Sequence, residues 1–159
     1  MKTAILKVHN LLINKKESIS VSESCTGGML SSMLTSLPGS SGYFKSGIIT
    51  YSNQSKTKLL KVAKLLIKKY GAVSEQVALA MAKNTKKIAD TDIAVAITGI
   101  AGPAGATPGK DIGTVFIAIS YKNKLTCKKF SFKGTRTIIR KKSCLKTIQL
   151  LYLLIKSKK

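Results

Sequence analysis

The chain has 159 residues, 44% apolar and 21% charged, with three prolines and a mean hydropathy of +0.11. That is the length of one domain, residues 1–159, and the composition of a packed globule, which excludes a disordered chain and a cross-link-dependent miniprotein. Its 28 basic against 6 acidic residues give a formal charge of +22, a field that attracts anions of several kinds.

From Met1 to Lys16 the apolar residues Ile5, Val8, Leu12 and Ile13 recur at helical steps, so an amphipathic helix is expected to open the domain. Ser18–Ser22 reads as a short buried strand that runs into the turn Glu23-Ser24-Cys25-Thr26-Gly27-Gly28. Helical spacing then resumes at Met29, Leu30, Met33 and Leu34. After the turn residues of 37–42, a second strand is expected over Gly47–Tyr51, with another strand-to-helix turn at Ser52-Asn53. Helices are expected over Ser55–Leu60, Ala63–Tyr70 and Ser74–Ile88, the last with Ser74 as N-cap. Ile93–Thr98 is apolar enough to be a strand covered on both faces. Gly99 to Gly113 carries five glycines and two prolines, a long loop of the kind that holds ligand. Val115–Ser120 and Leu125–Phe132 form a hairpin, and Arg136–Lys156 a closing helix. Strands alternating with helices predict an α/β fold: a three-layer α/β/α sandwich, mostly parallel, with an antiparallel edge hairpin.

The apolar stretch Ile148–Ile155 covers eight positions, far fewer than the roughly 20 that span a bilayer, so no membrane partner is expected. Lys7, His9 and Asn10 interrupt the first apolar run before it reaches signal-peptide length, which predicts a cytoplasmic chain. Cys25, Cys127 and Cys144 are an odd set without CxxC spacing and suit reduced thiols. Only two basic residues are arginines, Arg136 and Arg140, and no base-reading motif is present. Any contact with nucleic acid is therefore expected to be non-specific and carried by charge. A homo-oligomer is expected.

One histidine, His9, cannot build a zinc site or a Ser-His-Asp triad, and six carboxylates are too scattered for two metals, so neither metal nor cofactor is expected. Gly105 to Asp111 resembles a P-loop but is one residue short and ends in an acid rather than a hydroxyl. What remains is Ser24, at the carboxyl end of a buried strand, and Lys56, just after the second turn. The amides of the helix after Cys25 are expected to hold an oxyanion. Lys56 can act as base only if burial or neighbouring positive charge lowers its proton affinity. A plain alternative stays open, in which Ser24 and Thr26 only cap a helix and Lys56 is one surface lysine among many. Cys25 is a rival nucleophile without a histidine.

Four motifs in order, Glu23-Ser24-Cys25-Thr26-Gly27-Gly28, Tyr51-Ser52-Asn53 with Lys56, Gly71 to Glu75, and Thr98 to Pro103 continuing to Val115, are similar to those of a known family. The chain resembles the C-terminal domain of the CinA competence-damage family in its stand-alone form. That resemblance implies an α/β/α fold and a metal-free amidohydrolase that converts nicotinamide mononucleotide (NMN) and water to nicotinic acid mononucleotide and ammonia. It implies Ser24 as nucleophile, Lys56 as its partner and Tyr51 as a third catalytic residue. Thr26, Gly27, Gly28, Asn53, Thr98, Gly99, Gly102 and Arg136 are the substrate-binding candidates, with Arg136 and the Gly99–Gly102 amides for the 5′-phosphate. Where the family often has Gly-Asp-Arg, this chain has Gly134-Thr135-Arg136. The larger CinA proteins carry a further N-terminal domain for which 159 residues leave no room, so its activity is not expected here. Two alternatives stand beside this reading: a non-catalytic basic module that binds DNA or protein, and an amidase for another small carboxamide.

Overall fold

A computed structural model describes residues 2–157. One five-stranded sheet, ordered β2-β1-β3-β4-β5, runs through it. Its strands are β1 (Ile19–Glu23), β2 (Phe44–Ile49), β3 (Ile93–Gly99), β4 (Thr114–Tyr121) and β5 (Lys124–Ser131). β2, β1 and β3 pair in parallel, and β4 and β5 are each antiparallel to the strand before them. Four of the five strands thus point the same way, and β4 alone opposes them.

Six helices cover the two faces: α1 (Lys2–Lys15), α2 (Met29–Leu34), α3 (Asn53–Leu60), α4 (Lys64–Tyr70), α5 (Glu75–Ala89) and α6 (Arg136–Lys156). Ile5, Val8 and Leu12 of α1, Leu30 of α2 and Ile139, Ile148 and Leu151 of α6 pack on Ile19, Val21, Val95 and Ile117 of the sheet. Leu60, Ile67, Val77 and Met81, from α3, α4 and α5, pack on Ala96, Phe116 and Ala118 on the other face. Side chains alternate across a strand, and β1, buried at all five positions, therefore serves both cores. This is the three-layer α/β/α sandwich expected from the alternation of elements. Among the described residues no helix is long and apolar enough to cross a membrane.

Most element ends lie within one or two residues of the sequence reading, and differences at β2 and Gly99 have a clear physical cause. β2 begins at Phe44, three residues before Gly47, and ends before Thr50. Its residues alternate between half-buried and exposed, so Lys45 faces outward while Ser46 sits between Phe44 and Ile48 on the half-buried face. Gly99 closes β3 instead of opening the loop, because it pairs with Val115. The Met1 end of the predicted first helix lies outside the described residues. Thr135 accepts from the Ile138 amide and caps α6, doing for the helix what an aspartate would do there.

Gly113 sets the exit of the long loop. It sits at φ 90°, and a Cβ there would collide with the Phe132 carbonyl. Gly113→Ala should lower stability by roughly 3 kcal/mol or more in urea unfolding, from overlap with backbone that cannot yield. Gly42→Ala, where nothing lies within 4 Å of the added methyl, should stay within about 0.5 kcal/mol of the parent.

Candidate active site

The carboxyl ends of β1 and β3 frame a cleft of about 270 Å³. Ser24 follows β1 directly, and its amide still donates to the Ile97 carbonyl at 2.9 Å, so the strand ladder holds it in place. Ile19, Val21 and Glu23 face α1, α2 and α6. The next side chain, Ser24, emerges on the opposite face, toward α3.

There it meets Lys56. The N-cap of α3, Ser52, accepts from the Ser55 amide while Ser55 returns a bond to the Ser52 amide, a reciprocal cap that fixes the helix start. One turn on, Lys56 points inward and is 1% exposed. Its Nζ donates to Ser24 Oγ at 3.0 Å and to the Thr50 carbonyl at 2.8 Å. Burial lowers the Lys56 pKa to about 8, with Cys25 acting weakly the other way. Desolvation alone therefore produces the shift, and the expected help from neighbouring positive charge is not part of it. Cys25 also lines the cleft, but burial pushes its thiol up to about 11, which keeps it protonated and a poor nucleophile.

Of the expected residues, Ser24, Tyr51, Asn53, Lys56, Thr98, Gly99, Gly102 and Arg136 all line this cleft. Arg136 reaches across its mouth from α6, donating from Nη1 to the Gly102 carbonyl at 2.8 Å and from Nη2 to the Tyr51 hydroxyl. Tyr51 is 57% exposed and its hydroxyl serves Arg136 and not the Ser24–Lys56 pair, so it stands at the rim. The Thr98 hydroxyl donates to the Ala72 carbonyl at 2.8 Å and anchors the segment leading into α5.

Thr26, Gly27 and Gly28 are not part of the cleft lining. Thr26 is fully buried, and its carbonyl accepts from Arg140 Nη2 at 2.7 Å and Nε at 3.3 Å. The Gly27 amide donates to the Ser24 carbonyl, and the Gly28 amide to Glu23 Oε2 at 3.1 Å. These residues shape the turn instead of touching a ligand. The expected set of oxyanion donors changes with them: Leu30 and Ser31 also donate their amides to Glu23. The Cys25 amide donates to no other residue among those described and faces its own thiol at the cleft wall, whereas Thr26 is buried away from the cleft. In the long loop the Ile100 amide is spent on the Thr114 carbonyl, whereas those of Ala101 and Gly102 are not spent on any described group. Ala72, Val73, Ala101, Ala104 and Gly105 complete the lining. Ala101 falls within the Gly99–Gly102 donors expected from the sequence and Ala104 and Gly105 within its ligand loop; Ala72 and Val73 are not singled out there as contacts, although Gly71 to Glu75 is among the motifs.

A buried serine–lysine pair at the strand ends of a three-layer sandwich, with an arginine over its mouth, places the chain among the three-layer α/β/α domains. The CinA C-terminal domain model matches residues 1–155, and the chain belongs to that family. A CinA-like protein of Endomicrobium trichonymphae is 45% identical over 89% of this chain, and a competence-damage inducible protein of Alkaliphilus oremlandii, so named provisionally, is 46% identical over 91%. The chain spans about a third of the length of these curated relatives, 33% and 35%. Among solved structures, competence damage-inducible protein A of Klebsiella pneumoniae superposes with a TM-score of 0.95 at 27% identity, covering 99% of this chain and 98% of that one. A CinA-superfamily protein of Escherichia coli gives 0.84 at 34% identity, covering 92% and 90%.

The buried amine has a measurable effect on stability. Because the folded pKa of about 8 lies below the ordinary lysine value of 10.5, the unfolded chain binds more protons between those limits, and this group's penalty is relieved as pH rises through them. Lys56→Met removes the amine but also strips the Thr50 carbonyl of its donor, for a net gain of about 1–2 kcal/mol at pH 7. Urea unfolding of parent and variant should show that gap closing between pH 8 and 10.5.

Proposed function

We propose that this domain hydrolyses the carboxamide of nicotinamide mononucleotide, giving nicotinic acid mononucleotide and ammonia. The observation that carries the reading is the buried Lys56 amine 3.0 Å from Ser24 Oγ. A solvated surface lysine would not be 1% exposed, and a decayed binding module would have no reason to keep a desolvated amine against a serine.

Lys56 acts in its neutral form. With a pKa of about 8, roughly one molecule in ten carries that form at pH 7. The neutral amine keeps one hydrogen on the Thr50 carbonyl and turns its lone pair to the Ser24 hydroxyl. Ser24 Oγ attacks the carboxamide carbon as its proton moves to Lys56, and the carbonyl oxygen becomes an oxyanion beside the Cys25 amide in the cleft wall. Lys56 then returns the proton to the departing nitrogen, ammonia leaves, and an acyl ester remains on Ser24. Water, deprotonated by the same amine, attacks that ester, and the proton goes back to Ser24 Oγ as the acid departs.

Arg136 and the amides of Ala101 and Gly102 receive the 5′-phosphate. The guanidinium has two neutral oxygen acceptors and takes a phosphate in their place with a gain in charge pairing. Asn53 lines the same cleft and offers an amide to the ribose or the ring.

The test is incubation of purified protein with NMN, measuring both ammonia and nicotinic acid mononucleotide. Ser24→Ala and Lys56→Ala should each lower kcat/KM by about 10³-fold or more, and the double variant should be scarcely worse, because the two act as a unit. Cys25→Ala should keep most of the activity, and chelators should change nothing. The rate should rise with pH with a midpoint near 8, as Lys56 loses its proton. Tyr51→Phe, which frees one arm of Arg136, should raise KM by roughly 3–10-fold with kcat preserved, separating a rim role from a catalytic one. Equal turnover of carboxamides without a phosphate would assign the domain to a broader amidase.

A further inference from the structure

We infer that Glu23 is a positioning residue for the nucleophile: its buried carboxylate gathers the opening amides of α2 and so leaves the amide of Cys25, in the cleft wall, to meet the oxygen of a reacting carbonyl. The inference rests on the reading of Ser24 as nucleophile and extends it to a residue that never touches substrate.

Glu23 is fully buried, in the last position of β1. Its Oε2 accepts from the Gly28 and Leu30 amides, both at 3.1 Å, and its Oε1 from the Ser31 amide at 2.8 Å and the Ser31 hydroxyl at 2.7 Å. A carboxylate taken out of water is tolerated only when its lone pairs are met by donors, and four donors meet this one. The arrangement exceeds what a six-residue helix needs. The ordinary solution is a serine, threonine or aspartate at the N-cap, yet here the N-cap is Gly28, left-handed and without a side-chain bond. The cap arrives from five residues earlier, on the residue next to the nucleophile.

That adjacency has a geometric consequence. Glu23 and Ser24 project to opposite faces of β1, so the carboxylate grips α2 on one side while the hydroxyl meets Lys56 on the other. The turn between is stretched from a fixed strand to a fixed helix start. With the Gly28, Leu30 and Ser31 amides occupied, the donor left at the cleft wall is the one next to Ser24, the Cys25 amide. The carboxylate also adds to the burial that keeps the Cys25 thiol protonated beside the serine. Room for this network comes from β2: a Cβ at Gly47 would lie 2.5 Å from Ser31 Oγ.

The experiment uses two readouts, NMN turnover and covalent labelling of Ser24 by a fluorophosphonate, located by peptide mass. Labelling needs the nucleophile and its oxyanion donors but not the nicotinamide. Glu23→Gln keeps the shape and sets an NH₂ against backbone donors. It should slow labelling and kcat by about 100-fold, the scale of losing an oriented oxyanion donor, with KM within about 3-fold. The pH midpoint should stay near 8, because the surroundings of Lys56 are untouched; general loosening would move KM and midpoint together with kcat. Gly47→Ala meets the Ser31 hydroxyl first, at 2.5 Å, with Ser31 Cβ and Phe44 Cζ beyond 3 Å, and should cost about 3–10-fold, the scale of one hydrogen bond. It answers the question if Glu23→Gln does not fold. Near-parental labelling and kcat in the folded variants overturns the inference, as does a joint shift of KM, midpoint and kcat. A parent that labels at Ser24 but does not consume NMN removes the nicotinamide assignment, and the labelling rates still decide on Glu23. A parent that does not label at Ser24 overturns both.

Discussion

An amine kept in the protein interior with two uncharged oxygens for company is the constraint around which this site is arranged. Lys56 has no buried counter-ion: it has Ser24 Oγ and the Thr50 carbonyl. Burial disfavours the charged form of such a group, and this draws the Lys56 pKa down to about 8. The surrounding elements preserve that desolvation. The Ser52–Ser55 cap fixes where α3 starts, Lys61 ends it in a left-handed conformation, and the Val62 amide folds back on the Lys56 carbonyl. Leu60 and Val62 then seal the helix against α5.

The parallel strands supply the second half of the design. Strand ends are where side chains leave the sheet without a neighbour above them, and β1 uses this for two adjacent residues with opposite duties. Glu23 binds the opening amides of the helix that follows, while Ser24 meets Lys56 at the cleft. One strand thus carries structure on one face and chemistry on the other. Neither could move by one residue without exchanging the two environments.

Much of this is visible in the sequence because the relevant signals are local. The apolar run Ile93–Thr98, the helical spacing of Arg136–Lys156 and the glycines around 99–113 identify their elements, and the strand-end rule brings Ser24, Lys56 and the long loop to one crevice. The start of β2 escapes because Lys45 faces outward and Ser46 interrupts the inward apolar phase between Phe44 and Ile48, so the segment reads as loop. Thr26, Gly27 and Gly28 look like ligand contacts because small turn residues next to a nucleophile usually are. Only the three-dimensional structure reveals that the Gly28 amide goes to Glu23, the Gly27 amide to the Ser24 carbonyl, and that Thr26 is buried away from the cleft. The cause of the Lys56 shift is hidden for a related reason: composition announces positive charge, but burial depends on which helix face turns inward. Arg140 went unassigned even though it lies four residues after Arg136, the spacing that puts both on one face of α6.

That spacing bears on how the chain can change in length. Arg136 holds the Gly102 carbonyl and Arg140 the Thr26 carbonyl, so one helical turn staples the glycine-rich loop and the nucleophile turn at once. An insertion inside α6 between the two arginines would rotate one grip about 100° away from the other, since each residue advances the helix by that angle. An insertion between Pro103 and Lys110, where the loop closes on itself through the Thr107–Lys110 bridge, would leave both grips in place. Length variation among descendants of this chain should therefore gather in the loop tip and avoid the opening turn of the last helix, so that the domain is elastic at its mouth and rigid at its hinge.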